Sequence, residues 1–471
     1  MSGNHNIKSL FMAMFILAAC SDPQNSNSDV KITSMRGKAY TAEISGINVI
    51  YNPTDSFKTD GMSEEQLRES LASNPTMLNE MDNVAAWMSA SLMIGVMRLN
   101  NGSSFTVQDI VIANRRQLEA FQVSFEYSAT LQIVAKDGEI PQLGAKEFLV
   151  MRNQTKQAKE AFYQGNKGCF TSEVDHLRVS LPEDFMNMMF YYFNPELPQC
   201  DAKNFGDQIQ KLSVQFKLSE ENPATPKYPE YQEVWRDRQL TAAFMFTPVS
   251  DFTNQDDGGR NYVNMIKLLI NRFGQPKSST IDASLLGQTP TPAEHPESKI
   301  TFDLADGRTL TFNMLYYSWG NQDDSKTQQK IADYSAVADF ISYNGHAGYG
   351  MNIEKFEQLI QPKDNHYQMF FANGCSTFGY LGRAFFKNTL TPATTTTTAT
   401  PAKKNVDLIS NLTSTYFSQM PATNMAFIDA LIEGKQSYLE ILQKIEQLVP
   451  EEDNSHVVIR GEDDNLFIPG K

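Results

Sequence analysis

The chain has 471 residues, 41% of them hydrophobic, enough for two or three domains with real cores. Its formal charge is −15 and its pI about 5.0, with no cluster of Lys or Arg. That balance argues against nucleic acid as a partner and against broad electrostatic adhesion to anionic lipid.

The amino terminus places Lys8 before an apolar run over residues 10–19, which ends in Leu17-Ala-Ala-Cys20 and gives way to polar Ser21-Asp-Pro-Gln-Asn-Ser-Asn-Ser. A basic start, a short apolar run and small residues at its end are the parts of a secretory signal. The run is shorter than the ~20 residues a membrane span needs. This segment resembles the lipobox of bacterial lipoproteins. The resemblance implies that residues 1–19 are a signal peptide and that Cys20 becomes a lipidated amino terminus. The protein is then held by that lipid in a bacterial cell envelope, on the periplasmic or surface side, and Ser21 permits the outer membrane. An ordinary signal peptide or an anchoring helix is the alternative. Residues 20–35 read as a polar tether.

Residues 36–232 show a mixed pattern. Residues 38–51, 118–135, 176–181 and 212–218 alternate like strands, 83–99 form an apolar helix, and the apolar stretch 185–193 belongs to a core. This half reads as an α+β domain rich in antiparallel strands. His176 has no partner at ligand spacing, so no metal site is expected. Pro223, Pro226 and Pro229 mark residues 220–231 as a linker.

Beyond it strands and helices alternate, and residues 236–450 read as a mostly parallel α/β sheet with helices on both faces. Residues 240–246 are a buried strand, 262–273 an amphipathic helix and 275–296 a polar surface excursion. Residues 299–304 and 309–314 flank Asp306-Gly307 as a hairpin. Two strands, 339–343 and 367–371, then enclose a helix over 351–361, and a further helix starts at Ser376. Residues 390–404, a threonine run between prolines, read as a mobile loop, 406–411 as a strand, 425–448 as one or two helices and 451–471 as a tail. No phosphate-binding loop is present: neither Gly258-Gly-Arg nor Gly345-His-Ala-Gly fits one. No cofactor is expected.

A strand–helix–strand crossover makes its two strands parallel neighbours. Their carboxyl ends carry Tyr343-Asn-Gly-His346-Ala-Gly and Phe370-Phe-Ala-Asn-Gly-Cys375-Ser-Thr, so an imidazole and a thiol 29 positions apart share one sheet edge. In an exported chain Cys169 and Cys200 are the natural disulfide pair, stabilising by about 3–4 kcal/mol on the chain-entropy model. That leaves Cys375 as an odd thiol, which points to reactivity. His346 can accept its proton or stabilise the thiolate, and a following helix start would add partial positive charge. Backbone N–H groups of Cys375 and of Ala347 or Gly348 are candidates for an oxyanion hole.

A strand ending in His-Gly, about thirty residues, then a strand ending in Cys resembles the caspase-like cysteine peptidases, and Phe-Phe-Ala-Asn-Gly-Cys375 is most similar to their gingipain branch. The resemblance spans residues 236–450 and is specific over 338–387. It implies a caspase–haemoglobinase fold, a His346/Cys375 dyad and cofactor-free cleavage of a peptide or protein substrate. This chain departs in having His346-Ala347-Gly348 for His-Gly and Gly374 before the cysteine. The group often carries an acid that orients the histidine, for which Asp339, Asp323 and Asp324 are candidates; Asp251, Asp256 and Asp257 are candidate walls of a pocket for a basic residue. Self-cleavage in 275–296 or 390–404 is a further expectation. Two other readings stand beside the peptidase: a peptidase-like fold that binds without cutting, and a structural envelope lipoprotein.

Overall fold

The structure is a computed structural model that describes residues 39–51, 105–117, 123–134, 145–152, 156–170, 197–215, 217–219, 226–318, 325–347, 351–360, 366–381, 405–412, 415–448, 457–462 and 465–470. Outside them lie Cys20, Asp323, Asp324, Gly348, the helix expected at 83–99, the strand expected at 176–181, the stretch 185–193 and the threonine loop. The chain forms two compact units, one of Ser34–Thr225 with Phe378–Ala384 and one built on Pro226–Thr377 and Phe385–Lys471, so the main boundary falls between Thr225 and Pro226. The boundary lies ahead of the expected start at residue 236. The reason is apolar: Tyr228, Tyr231, Val234 and Trp235 pack into the core of the second unit. The Trp235 indole also donates to the Leu431 carbonyl at 2.7 Å.

The first unit holds strands β1 (Ala39–Tyr51), β2 (Phe105–Gln117), β3 (Val123–Val134), β4 (Ala145–Met151), β5 (Ile209–Gln215) and β6 (Lys217–Ser219). They form a sheet of order β2-β3-β1-β6 and a separate β4-β5 pair, antiparallel throughout. With helix α1 (Lys156–Gly165) this is the expected α+β pattern. Phe162 is fully buried against Phe170 and Phe205 beside the Cys169–Cys200 disulfide.

The second unit is built on an eight-stranded sheet of order β14-β13-β12-β11-β7-β10-β9-β8. In chain order these strands are β7 (Gln239–Phe246), β8 (Ser278–Ser279), β9 (Glu297–Asp303), β10 (Thr309–Tyr316), β11 (Phe340–Asn344), β12 (Gln368–Asn373), β13 (Val406–Asn411) and β14 (Val457–Arg460). The five central strands, β13, β12, β11, β7 and β10, run parallel. β10 returns from β9 as the antiparallel hairpin expected around Gly307, and β14 closes the other edge antiparallel to β13. Residues 457–460, read from sequence as tail, are therefore part of the sheet; the Val-Val-Ile run that lines them is buried.

Helices α2 (Asp257–Phe273), α3 (Ser325–Val337), α4 (Met351–Leu359), α5 (Met420–Glu433) and α6 (Tyr438–Glu446) accompany this sheet. Successive strand residues face opposite ways. On β11, Phe340 meets Phe427 of α5, whereas Tyr343 meets Phe356 of α4. β12 repeats the split: Phe370 packs on Phe356 and Phe371 on Phe427. Helices thus cover both faces, and the central strands are apolar on both sides, as parallel strands must be. Such burial, at about 1.5–3 kcal/mol per large apolar side chain, makes the sheet a rigid base for what its edge carries.

Candidate functional site

The carboxyl ends of β11 and β12 lie side by side, with Asn344 opposite Asn373. The turns that follow touch: the Gly345 N–H donates to the Asn373 carbonyl at 3.2 Å. Two glycines make the approach possible. A Cβ at Gly374 would sit 2.6 Å from the Gly345 carbonyl oxygen, and one at Gly345 would overlap the Thr247 hydroxyl at 1.8 Å. The glycine before Cys375, a departure from the family resemblance, is thus what lets the two turns close on each other.

His346 is 8% exposed. Its ring stands edge-on to Phe417 at 4.9 Å. Burial drives its pKa down to about 4, against a hydrogen bond to the Val249 backbone that raises it. The imidazole is therefore neutral at pH 7. Its Nε2 is buried and makes no hydrogen bond, so the bond to Val249 falls to Nδ1. A ring nitrogen bonded to a carbonyl must carry the proton, which leaves the lone pair on Nε2. That is the tautomer a general base requires.

Cys375 packs against the small apolar cluster of Phe417 and Met420, and the same Phe417 meets the imidazole. Its Sγ lies 3.6 Å from the Thr415 carbonyl oxygen. One expectation is overturned: the sulfur is in a disulfide, with its partner outside the described residues, and no described cysteine is a free thiol. A second correction concerns the helix expected from Ser376. Ser376 takes a left-handed φ of 54°, and only a short 3₁₀ turn, Thr377–Gly379, follows before the described stretch ends at Leu381. A non-glycine residue in that region costs of order 1 kcal/mol, and here it throws the chain sharply aside immediately after the sulfur. The partial charge of a helix start cannot be credited at Cys375.

Beneath both turns runs a row of asparagines that sequence reading missed. Asn344, Asn373 and Asn411 end β11, β12 and β13 and are buried. The Asn373 amide donates to Asn344 Oδ1 at 3.1 Å and to Thr423 Oγ1 at 3.1 Å. Asn424 of α5 donates to Asn344 Oδ1 at 2.7 Å, and Ser342 Oγ to Asn424 Oδ1 at 2.7 Å. Asn411 Nδ2 reaches the Gly374 carbonyl at 3.0 Å. Buried polar groups so connected hold one geometry, because breaking any bond leaves an unpaired partner.

The predicted acids divide. Asp339 lies at the opposite end of β11 from His346, where it pairs with His366 at 3.1 Å and accepts the Thr241 N–H at 2.7 Å. Burial raises its pKa. Five strand residues separate it from the imidazole side, about 17 Å at strand rise, so it does not orient His346. Asp251 is exposed and Asp257 pairs with Arg260. Asp256 is buried and does more than cap α2 at Gly258 N, 2.8 Å. It also accepts from Val249 N at 2.9 Å and Ser250 N at 3.0 Å. The Ser250 N–H belongs to the same peptide plane as the Val249 carbonyl, so Asp256 braces that peptide from behind while its carbonyl faces His346. Ala347 is buried, and its carbonyl accepts from Asn352 N at 3.1 Å. Among the described residues no three His, Cys, Asp or Glu side chains are grouped to hold a metal ion, and no helix is long and apolar enough to cross a membrane.

No family model matches the chain, and no curated protein or solved structure is significantly similar to it.

Proposed function

We propose that the protein is an extracytoplasmic cysteine endopeptidase of caspase-like, gingipain-type fold, tethered to a bacterial envelope through lipid on Cys20, in which His346 and Cys375 cleave peptide bonds. The observation that carries this reading is the meeting of the two turns at the carboxyl edge of adjacent parallel strands. Open α/β sheets build their sites at that edge. The neutral imidazole, its partnerless Nε2 and the Val249 carbonyl that fixes the tautomer supply a base. In the forward reaction Nε2 takes the Cys375 proton as sulfur attacks the scissile carbonyl, and returns it to the departing amine. Water then hydrolyses the thioester. Backbone N–H groups of Cys375 and Ala347 are the candidate oxyanion donors, with no cofactor.

The disulfide at Cys375 sets a condition. Cys20 is the one cysteine left to pair with Cys375, and a lipidated sulfur is a thioether that forms no disulfide, so the two states exclude each other. In the lipidated protein Cys375 is a thiol, whereas in the unlipidated chain a dithiol reductant must first attack the disulfide, releasing both cysteines as thiols while the reductant leaves as its own disulfide. The same disulfide favours a second reading, a peptidase-like protein that binds peptides without cutting them. One experiment separates the two. The wild type and Cys375→Ala are incubated with a mixed peptide library, with and without dithiothreitol, and cleavage is mapped by mass spectrometry. Cleavage that needs both the reductant and Cys375 supports the peptidase; its absence in every arm leaves the binding reading. Reduced wild type should also react with iodoacetamide at Cys375 faster than His346→Ala does.

A further inference from the structure

Resting on the peptidase reading, we infer that Asn411 is a positioning residue that aims an oxyanion donor. The argument is one of peptide geometry. In a trans peptide the carbonyl and the N–H point in opposite directions, and the described chain contains no cis bond. Asn411 Nδ2 holds the Gly374 carbonyl at 3.0 Å from the β13 side. The N–H in that same peptide plane is that of Cys375, and it is therefore turned away from Asn411. Fixing one end of the plane fixes the other.

The second candidate donor is aimed in the same way. The Ala347 N–H shares its plane with the His346 carbonyl, and that carbonyl accepts from the Tyr343 hydroxyl and from Asn352 Nδ2 at 3.1 Å. Ala347 N also lies 3.4 Å from the position a Cβ on Gly374 would occupy, so the two donor-bearing segments are adjacent. Asn411 is itself held: its backbone N–H donates to Thr377 Oγ1 at 3.0 Å, and that hydroxyl donates to the Ala372 carbonyl at 2.7 Å. A buried side chain on an anchored strand end, bonded to a backbone carbonyl and reaching Asn373 Oδ1 at 3.4 Å, suits a role in which direction matters more than attraction.

The test uses the reduced full-length chain, with the mixed peptide library as substrate and iodoacetamide as thiol probe. Alkylation displaces iodide at carbon and builds no oxyanion, whereas peptide cleavage does. Asn411→Ala and Asn411→Asp, whose carboxylate cannot donate, should lower kcat by about 10²–10³-fold, the loss seen when an oxyanion donor is removed. KM and the Cys375 alkylation rate should stay within about twofold of wild type. Tyr343→Phe, which keeps the ring against Phe356, is the second variant should both Asn411 variants fail to fold; it should lower kcat while sparing alkylation. Unchanged kcat in the variants overturns the inference alone. So does an alkylation rate that falls in step with kcat, since Asn411 would then be placing the sulfur. A wild type that neither cleaves nor shows His346-dependent alkylation overturns the peptidase reading, and the inference with it.

Discussion

Lowering the pH should loosen the second unit through His346, and the size of the effect follows from its burial. The ring's pKa is depressed from 6.5 to about 4 in the fold. Between those values the unfolded chain binds a proton that the folded chain refuses, so stability present above the unfolded pKa is lost as pH falls towards 4. The linkage factor, (1 + 10^(6.5−pH))/(1 + 10^(4−pH)), is roughly 1.3 at pH 7 and roughly 30 at pH 5, a loss of about 2 kcal/mol. His346→Gln keeps a donor for Val249 and removes the titration. Hydrogen exchange by mass spectrometry, corrected for intrinsic rates, on peptides from β7, β11 and β12 would read it. On going from pH 7 to pH 5 the wild type should lose about twentyfold more protection than His346→Gln, other titrating groups being common to both. Equal losses in the two proteins would refute a buried, neutral imidazole.

Gly374→Ala should destabilise the second unit by about 1–3 kcal/mol, because its Cβ would lie 2.6 Å from a backbone carbonyl that cannot easily yield; thermal unfolding checks it. Asp256→Ala strips the partner from the N–H groups of Val249, Ser250 and Gly258 and should cost about 2 kcal/mol by the same assay, while slowing Cys375 alkylation in the reduced protein through loss of His346 alignment. Asp339→Asn, at the far end of β11, should leave that alkylation rate within about twofold of wild type, the scatter expected of a site that shares no partner with His346. Cys169→Ser should weaken the first unit by about 3 kcal/mol and expose it to limited proteolysis.

Features with a local cause were legible in the sequence. Uninterrupted apolar runs announced β7, β11 and β12, the Asp306-Gly307 pair announced the hairpin, and the glycines after β11 and β12 announced sharp turns bearing His346 and Cys375. What escaped depends on register. Asn344, Asn373 and Asn411 look like ordinary strand-end polar residues until parallel pairing lines them up. Asp339 sits seven residues from a candidate histidine in the chain, yet a strand carries it to the other end of the sheet and to His366. Asp256, first read as a pocket wall, works through backbone N–H groups, which no side-chain pattern records. A left-handed serine carries no sequence signal either, because Ser, unlike Gly, rarely takes that conformation.

The rim that joins the two turns consists twice over of asparagine followed by glycine, at 344–345 and 373–374. In a loose chain the glycine nitrogen can attack the asparagine amide, expel ammonia and leave an aspartyl or isoaspartyl residue. Here both nitrogens are engaged, Gly345 N on the Asn373 carbonyl and Gly374 N on the Ala372 carbonyl, and both amides are tied into the row. The fold is thus its own preservative. A molecule held unfolded for long enough would acquire a carboxylate, or a backbone detour, where a donor and a straight strand end are needed, and would return from denaturation with the rim permanently spoiled.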